Sequence, residues 1–193
     1  MKKFLLASMA ALAIASFCAA EAKPKAAVLV IPADQVQDNE LIQAKAALEK
    51  AGVKVTVAAP AVAPVKGMLG GSFMPDIAIA SIDPSKFDLI ACIGGMGIFQ
   101  IWGDQAYLEK VQEFNNSGKF VTGTCGAVGV LANAGVIAGI KATCYPANSV
   151  FSLLKAKGAL YTGDVVTVSG RIVTGNGPDA AVPFGQAIAK LLM

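Results

Sequence analysis

The 193-residue sequence contains no histidine. Without an imidazole there can be no Ser-His-Asp triad, no Cys-His dyad and no histidine metal ligand. Any catalysis must therefore run on carboxylate, thiol, phenol, amine or backbone groups, and no metal or cofactor is expected. Charge is also sparse. Charged residues make up 15% of the chain, below the ~25% of an ordinary domain, which excludes a disordered polyelectrolyte. The formal net charge is only +3, and Arg171 is the sole arginine. A nucleic-acid binder would carry a clustered basic face with several arginines, so no nucleic-acid partner is expected.

What the chain does have is apolar bulk, with 55% hydrophobic residues. Its length fits one domain, able to bury a core without disulfide staples. Lys2 and Lys3 precede an apolar run from Phe4 to Phe17, and Ala20-Glu21-Ala22 follows. This order of charged, apolar and small residues is that of a secretory signal peptide, and the run is short for a bilayer span. The expectation is a signal peptide over residues 1–22 and a single domain over 23–193, periplasmic or secreted, with no membrane attachment after cleavage. Export would put Cys92, Cys125 and Cys144 in an oxidising compartment.

Ala26 to Ile31 is a continuous apolar run and reads as a strand buried on both faces. Leu41, Ala44, Leu48 and Ala51 then fall at helical spacing, with Gly52 as a stop, and Val53 to Ala58 reads as a second strand. Strand, helix, strand is a βαβ unit, so the sheet is at least partly parallel. Residues 60–81 read as an irregular excursion or hairpin. Leu89 to Ile93 is a buried strand ending in Gly94-Gly95-Met96-Gly97, and a helix with Leu108, Val111 and Phe114 inward begins near Asp104. Phe120 to Thr122 leads into Gly123-Thr124-Cys125-Gly126 and a small-residue helix running to Gly135. Lys141 to Cys144 reads as a strand end and Val150 to Lys157 as a helix. Val165 to Val168 and Ile172 to Thr174 form a β pair, and Ala180 to Leu192 is a closing helix. The pattern is one doubly wound α/β sandwich.

Cys125 sits on a strand-to-helix turn, the place where open α/β folds hold nucleophiles and ligands. Flanking glycines suit a sharp turn, and a helix N-terminus favours a thiolate. Equally, Cys125 could be a small buried hydrophobe, since Gly-x-Cys-Gly is not a specific pattern. Cys92, inside an apolar strand, reads as core. Gly94-Gly95-Met96-Gly97 could form an anion-binding nest, but neither glycine cluster matches a dinucleotide fingerprint. Glu40 opens the first helix on the sheet edge that carries Cys125; its default role is to serve the helix dipole.

Taken together, Ala26-Ala27-Val28-Leu29-Val30-Ile31, Glu40, Ala51-Gly52-Val53-Lys54-Val55, Gly94-Gly95, Gly118-Lys119-Phe120-Val121 through Cys125, Lys141-Ala142-Thr143-Cys144-Tyr145-Pro146 and Thr174-Gly175-Asn176-Gly177-Pro178 resemble the ThiJ/PfpI family, which includes the DJ-1 proteins. The resemblance runs in order over nearly all of residues 25–193. It implies a flavodoxin-like α/β sandwich with a mostly parallel sheet, usually a homodimer. It implies that Cys125 is the nucleophile-elbow cysteine, that Glu40 is its acidic partner, and that the Gly95 and Gly126 N–H groups line an oxyanion pocket. Beside a thiolate, Glu40 would keep its proton and donate it as a hydrogen bond. Family positions that often carry histidine are Gly126 and Tyr145 here, which excludes a Cys-His protease or glutamine-amidotransferase-type hydrolase. Tyr145 and Cys144 are auxiliary candidates, Cys144 as a disulfide partner of Cys125.

The function implied is a redox-responsive thiol protein in oxidative or carbonyl stress, with peroxide reacting at Cys125. The alternative is a cysteine-dependent glyoxalase- or deglycase-type enzyme acting on reactive carbonyls such as methylglyoxal. A second alternative is a dimeric stress chaperone or binding module.

Overall fold

A computed structural model describes residues 25–193; the expected signal peptide lies outside them. The strands are β1 (Ala26–Val30), β2 (Lys54–Ala59), β3 (Val65–Lys66), β4 (Ser72–Phe73), β5 (Ile77–Ala78), β6 (Leu89–Cys92), β7 (Phe120–Thr124), β8 (Lys141–Ala142), β9 (Leu160–Tyr161), β10 (Val166–Ser169) and β11 (Ile172–Gly175). The helices are α1 (Asp38–Lys50), α2 (Gln105–Asn116), α3 (Val128–Asn133), α4 (Asn148–Ala156) and α5 (Ala181–Lys190).

Seven strands form the main sheet in the order β10-β11-β7-β6-β1-β2-β5, and every pairing is parallel except the β10–β11 hairpin. All five residues of β1 are buried, as its unbroken apolar run requires. The pleat sends successive side chains to opposite faces. Ala27, Leu29 and Ile31 pack with Leu41, Ala44 and Leu48 of α1 and Phe184 and Ile188 of α5. Val28 and Val30 pack with Tyr107, Val111 and Phe114 of α2, Leu131 of α3 and Leu154 of α4. Helices on both faces of a mostly parallel sheet make this a flavodoxin-like α/β sandwich.

The excursion at residues 60–81 is an antiparallel β3–β4 hairpin followed by β5, which joins the edge of the main sheet. Two residues are too few to show a period, which is why the edge strand is not visible in the sequence. Likewise, Lys141–Ala142 pairs with Leu160–Tyr161 in a separate small ladder instead of ending a main-sheet strand. Among the described residues no helix is long and apolar enough to cross a membrane.

The chain winds outward from β1 to β2 and then crosses to β6 on the other side. A crevice opens at such a switch point, beyond the carboxyl ends of the strands. The register aligns Val30 with Cys92, Cys92 with Gly123, and Thr124 with Gly175. Gly94-Gly95, Cys125 and Gly177 therefore emerge together along one edge of the sheet.

Candidate functional site

Cys125 follows β7 directly, opens a single 3-10 turn (Cys125–Ala127) and leads into the six-residue α3. Its φ of 59° makes it one of two non-glycine residues with positive φ among the described residues, the other being Gln35. The strain of the turn is thus carried by the cysteine itself, at a cost of about 1–3 kcal/mol, and not by its glycine neighbours as the sequence suggested. Those glycines serve close approach. A Cβ on Gly126 would lie 3.0 Å from Ile98 Cγ2 and 3.1 Å from Phe99 Cζ. A Cβ on Gly94 would lie 2.5 Å from Cys125 Cβ and 2.8 Å from Glu40 Oε2.

Glu40, in the first turn of α1, is fully buried, so the exposed dipole-serving role does not apply. Its Oε2 accepts a hydrogen bond from Gly94 N–H at 3.0 Å, while Oε1 is buried without a partner. Burial pushes the Glu40 carboxyl up from 4.5 to about 7, against the opposing effects of the Gly94 N–H and of Cys125. Burial likewise pushes the Cys125 thiol up to about 12, with the Glu40 charge next in size; the Gly126 and Gly95 N–H groups act in the opposite direction. The sequence suggested a dominant thiolate stabilised by a helix end. A helix of six residues behind a 3-10 turn has little dipole to offer, and desolvation outweighs it.

The two groups thus titrate as a pair. Below about pH 7 both hold their protons. Above it, Glu40 is the carboxylate and Cys125 the thiol. A base of this strength beside a thiol can take the proton as sulfur attacks an electrophile, which is how a weak nucleophile is activated without histidine.

A cavity of about 90 Å³ lies over the sulfur, lined by Gln37, Met68, Gly95, Met96, Phe99, Cys125, Tyr145 and Pro178. The recess is small and offers the sulfur to a small molecule. Tyr145 is 41% exposed at its rim, and its backbone N–H donates to Cys125 O at 3.3 Å. Cys144, by contrast, is fully buried in the core, free, and does not line the cavity. Cys92 is core as expected, its thiol pushed up to about 12 by burial.

Sequence reasoning missed the residues that hold the cavity's outer wall. Asp38, two positions before Glu40 and 5% exposed, accepts from Leu69 N–H at 2.9 Å and Gly71 N–H at 2.8 Å. These bonds fasten the loop that carries Met68. Val36 and Gln37 extend the same fastening: Val36 N–H donates to Lys66 O, Met68 N–H to Val36 O, and Gln37 N–H to Gly94 O. The only sequence signal was an acid in a first helical turn, where dipole service is the ordinary role.

A family model described as the DJ-1/PfpI family matches residues 26–191. A glutathione-independent glyoxalase of Caenorhabditis elegans is 28% identical over 89% of this chain and 90% of its own length. A protein/nucleic acid deglycase of Escherichia coli is 31% identical over 86% of this chain and 96% of its own. The solved ThiJ/PfpI domain protein from Brachyspira murdochii superposes with a TM-score of 0.84 at 29% identity, covering 89% of this chain and 98% of that one.

Proposed function

The chain belongs to the DJ-1/PfpI family, and on that premise we propose that it is a cysteine-dependent enzyme converting small reactive carbonyls, in the manner of a glyoxalase. The observation that carries the reading is the fully buried Glu40 carboxyl, which accepts from Gly94 N–H and is pushed up to about 7 by burial, beside a Cys125 that lines a cavity of about 90 Å³. Cys125 sulfur attacks the aldehyde carbon of a 2-oxoaldehyde such as methylglyoxal as Glu40 takes the thiol proton. The resulting hemithioacetal oxygen is held by the Gly95 and Gly126 N–H groups. Glu40, recharged by giving its proton to that oxygen, moves the hydrogen from the former aldehyde carbon to the neighbouring carbon, and the hydroxyl proton passes to the neighbouring carbonyl oxygen, leaving the thioester of a 2-hydroxy acid. Water cleaves that thioester to a 2-hydroxy acid and restores the thiol, so the net change is addition of one water. The names of the worm and bacterial relatives support this reaction class. Lactate production from methylglyoxal is expected to vanish in Cys125→Ser and Glu40→Gln; turnover indifferent to both ends the reading.

A second reading uses the same sulfur as a peroxide-responsive thiol. The unpartnered Glu40 Oε1 favours it, because a protonated carboxyl there could donate to an oxidised sulfur. Each oxidation step transfers one oxygen from peroxide and releases one water. Mild peroxide should then add two oxygens at Cys125; modification elsewhere, or none, counts against this reading. Export rests on the Lys2-Lys3 leader pattern, and a homodimer on the exposed Ile42 and Met74 beside the recess between α1 and β4. Both belong to the proposal.

A further inference from the structure

The elbow needs an external fixture. Cys125 is strained at φ 59°, and Gly126 has no side chain to limit its own torsions. The peptide planes on either side of Gly126 are nevertheless pinned from outside. Tyr145 N–H donates to Cys125 O at 3.3 Å, and the Trp102 indole N–H donates to Gly126 O at 2.8 Å. Trp102 is itself clamped. Asn133 Nδ2 donates to Trp102 O at 3.0 Å, and the indole lies on Gly129, where a Cβ would come within 2.5 Å of Cε2. Its ring meets Phe99 at a centroid distance of 4.8 Å, and Phe99 lines the cavity and fills the space a side chain at position 126 would need.

We infer that Trp102 is a positioning residue for the Cys125 elbow: by holding the Gly126 carbonyl it fixes the peptide that follows Gly126, the turn on which the cysteine stands, and it braces Phe99 as a wall of the cavity. Nothing in the reaction requires the indole to touch substrate. With its carbonyl unheld, Gly126 would let the turn after Cys125 rotate, and each such excursion moves the sulfur away from its fixed place beside Glu40 and the cavity. This inference rests on Cys125 being the reacting sulfur, but not on which electrophile it meets.

Trp102→Phe keeps an aromatic ring and removes the N–H. With far-ultraviolet dichroism unchanged, iodoacetamide labelling of Cys125 at pH 7.5, followed by peptide mass, should slow about five- to tenfold, the effect of one hydrogen bond. A rate within twofold of the parent protein overturns the inference. Should the variant not fold, the parent protein decides, because Trp102 is its sole tryptophan. Labelling Cys125 places a new group against Phe99 and should change the indole emission; emission unchanged at full labelling overturns the inference. Alkylation needs no carbonyl turnover. Loss of the glyoxalase reading would therefore leave this result standing, and the reverse also holds.

Discussion

Glu40→Gln should make the protein more stable while removing the proposed carbonyl turnover. The folded carboxyl titrates near 7 against 4.5 for an ordinary one, and burial is the main cause. Between those two values the unfolded chain has lost the proton that the folded chain retains. Stability therefore falls as pH rises from about 4.5 and levels off above about 7, with a total loss of about 3 kcal/mol. Glutamine has nearly the same shape, carries no charge, and its carbonyl oxygen can still accept from Gly94 N–H. Urea unfolding of both proteins at pH 5 and pH 8 isolates the effect, since other carboxylates cancel in the difference. The advantage of Glu40→Gln over the parent should be on the order of 2–3 kcal/mol larger at pH 8 than at pH 5. An advantage that does not change with pH refutes the argument, because it would mean that Glu40 ionises in the folded state as easily as in water. The same proton sets activity in the opposite sense. Cysteine activation needs the carboxylate, so carbonyl turnover in the parent should rise through about pH 7 while stability declines.

Gly94→Ala puts a methyl into the space between Cys125 and Glu40; overpacking should cost about 1–3 kcal/mol, and Cys125 alkylation should slow on the order of 10–100-fold through misplacement of the pair. Asp38→Ala removes both bonds to the Leu69 and Gly71 amides. It should destabilise by about 2–4 kcal/mol, seen as a lower urea midpoint, and raise KM more than it lowers kcat, since Met68 is no longer held over the cavity. Iodoacetamide applied to the native protein should label Cys125 well before Cys92 or Cys144, which are both fully buried; equal labelling by peptide mass would contradict the cavity as described.

The alternation of apolar runs with helical spacing was enough to specify a parallel α/β sandwich, because a strand buried on both faces must be continuously apolar and Gly52 and Gly118 mark helix ends. The absence of histidine was equally decisive for chemistry, since no fold can supply a missing imidazole. Cys125 and Glu40 were nominated from a turn pattern and a family resemblance, and their meeting was implied by the resemblance, with nothing in the spacing to show it. Glu40 reaches the site through a bond to Gly94, 54 positions along the chain, and only the crossing from β2 to β6 closes that distance. Burial was hidden in the same way. Nothing local distinguishes Glu40 from an exposed first-turn acid, yet the fold encloses it completely and so turns an ordinary carboxyl into a base suited to neutral pH. Asp38 and Trp102 stayed silent for the same reason: each acts on backbone groups remote in sequence, and a hydrogen bond between distant segments leaves no period or spacing to read. Composition and periodicity determined the scaffold and the chemical repertoire, whereas tertiary enclosure decided which groups share a proton and which residues hold them still.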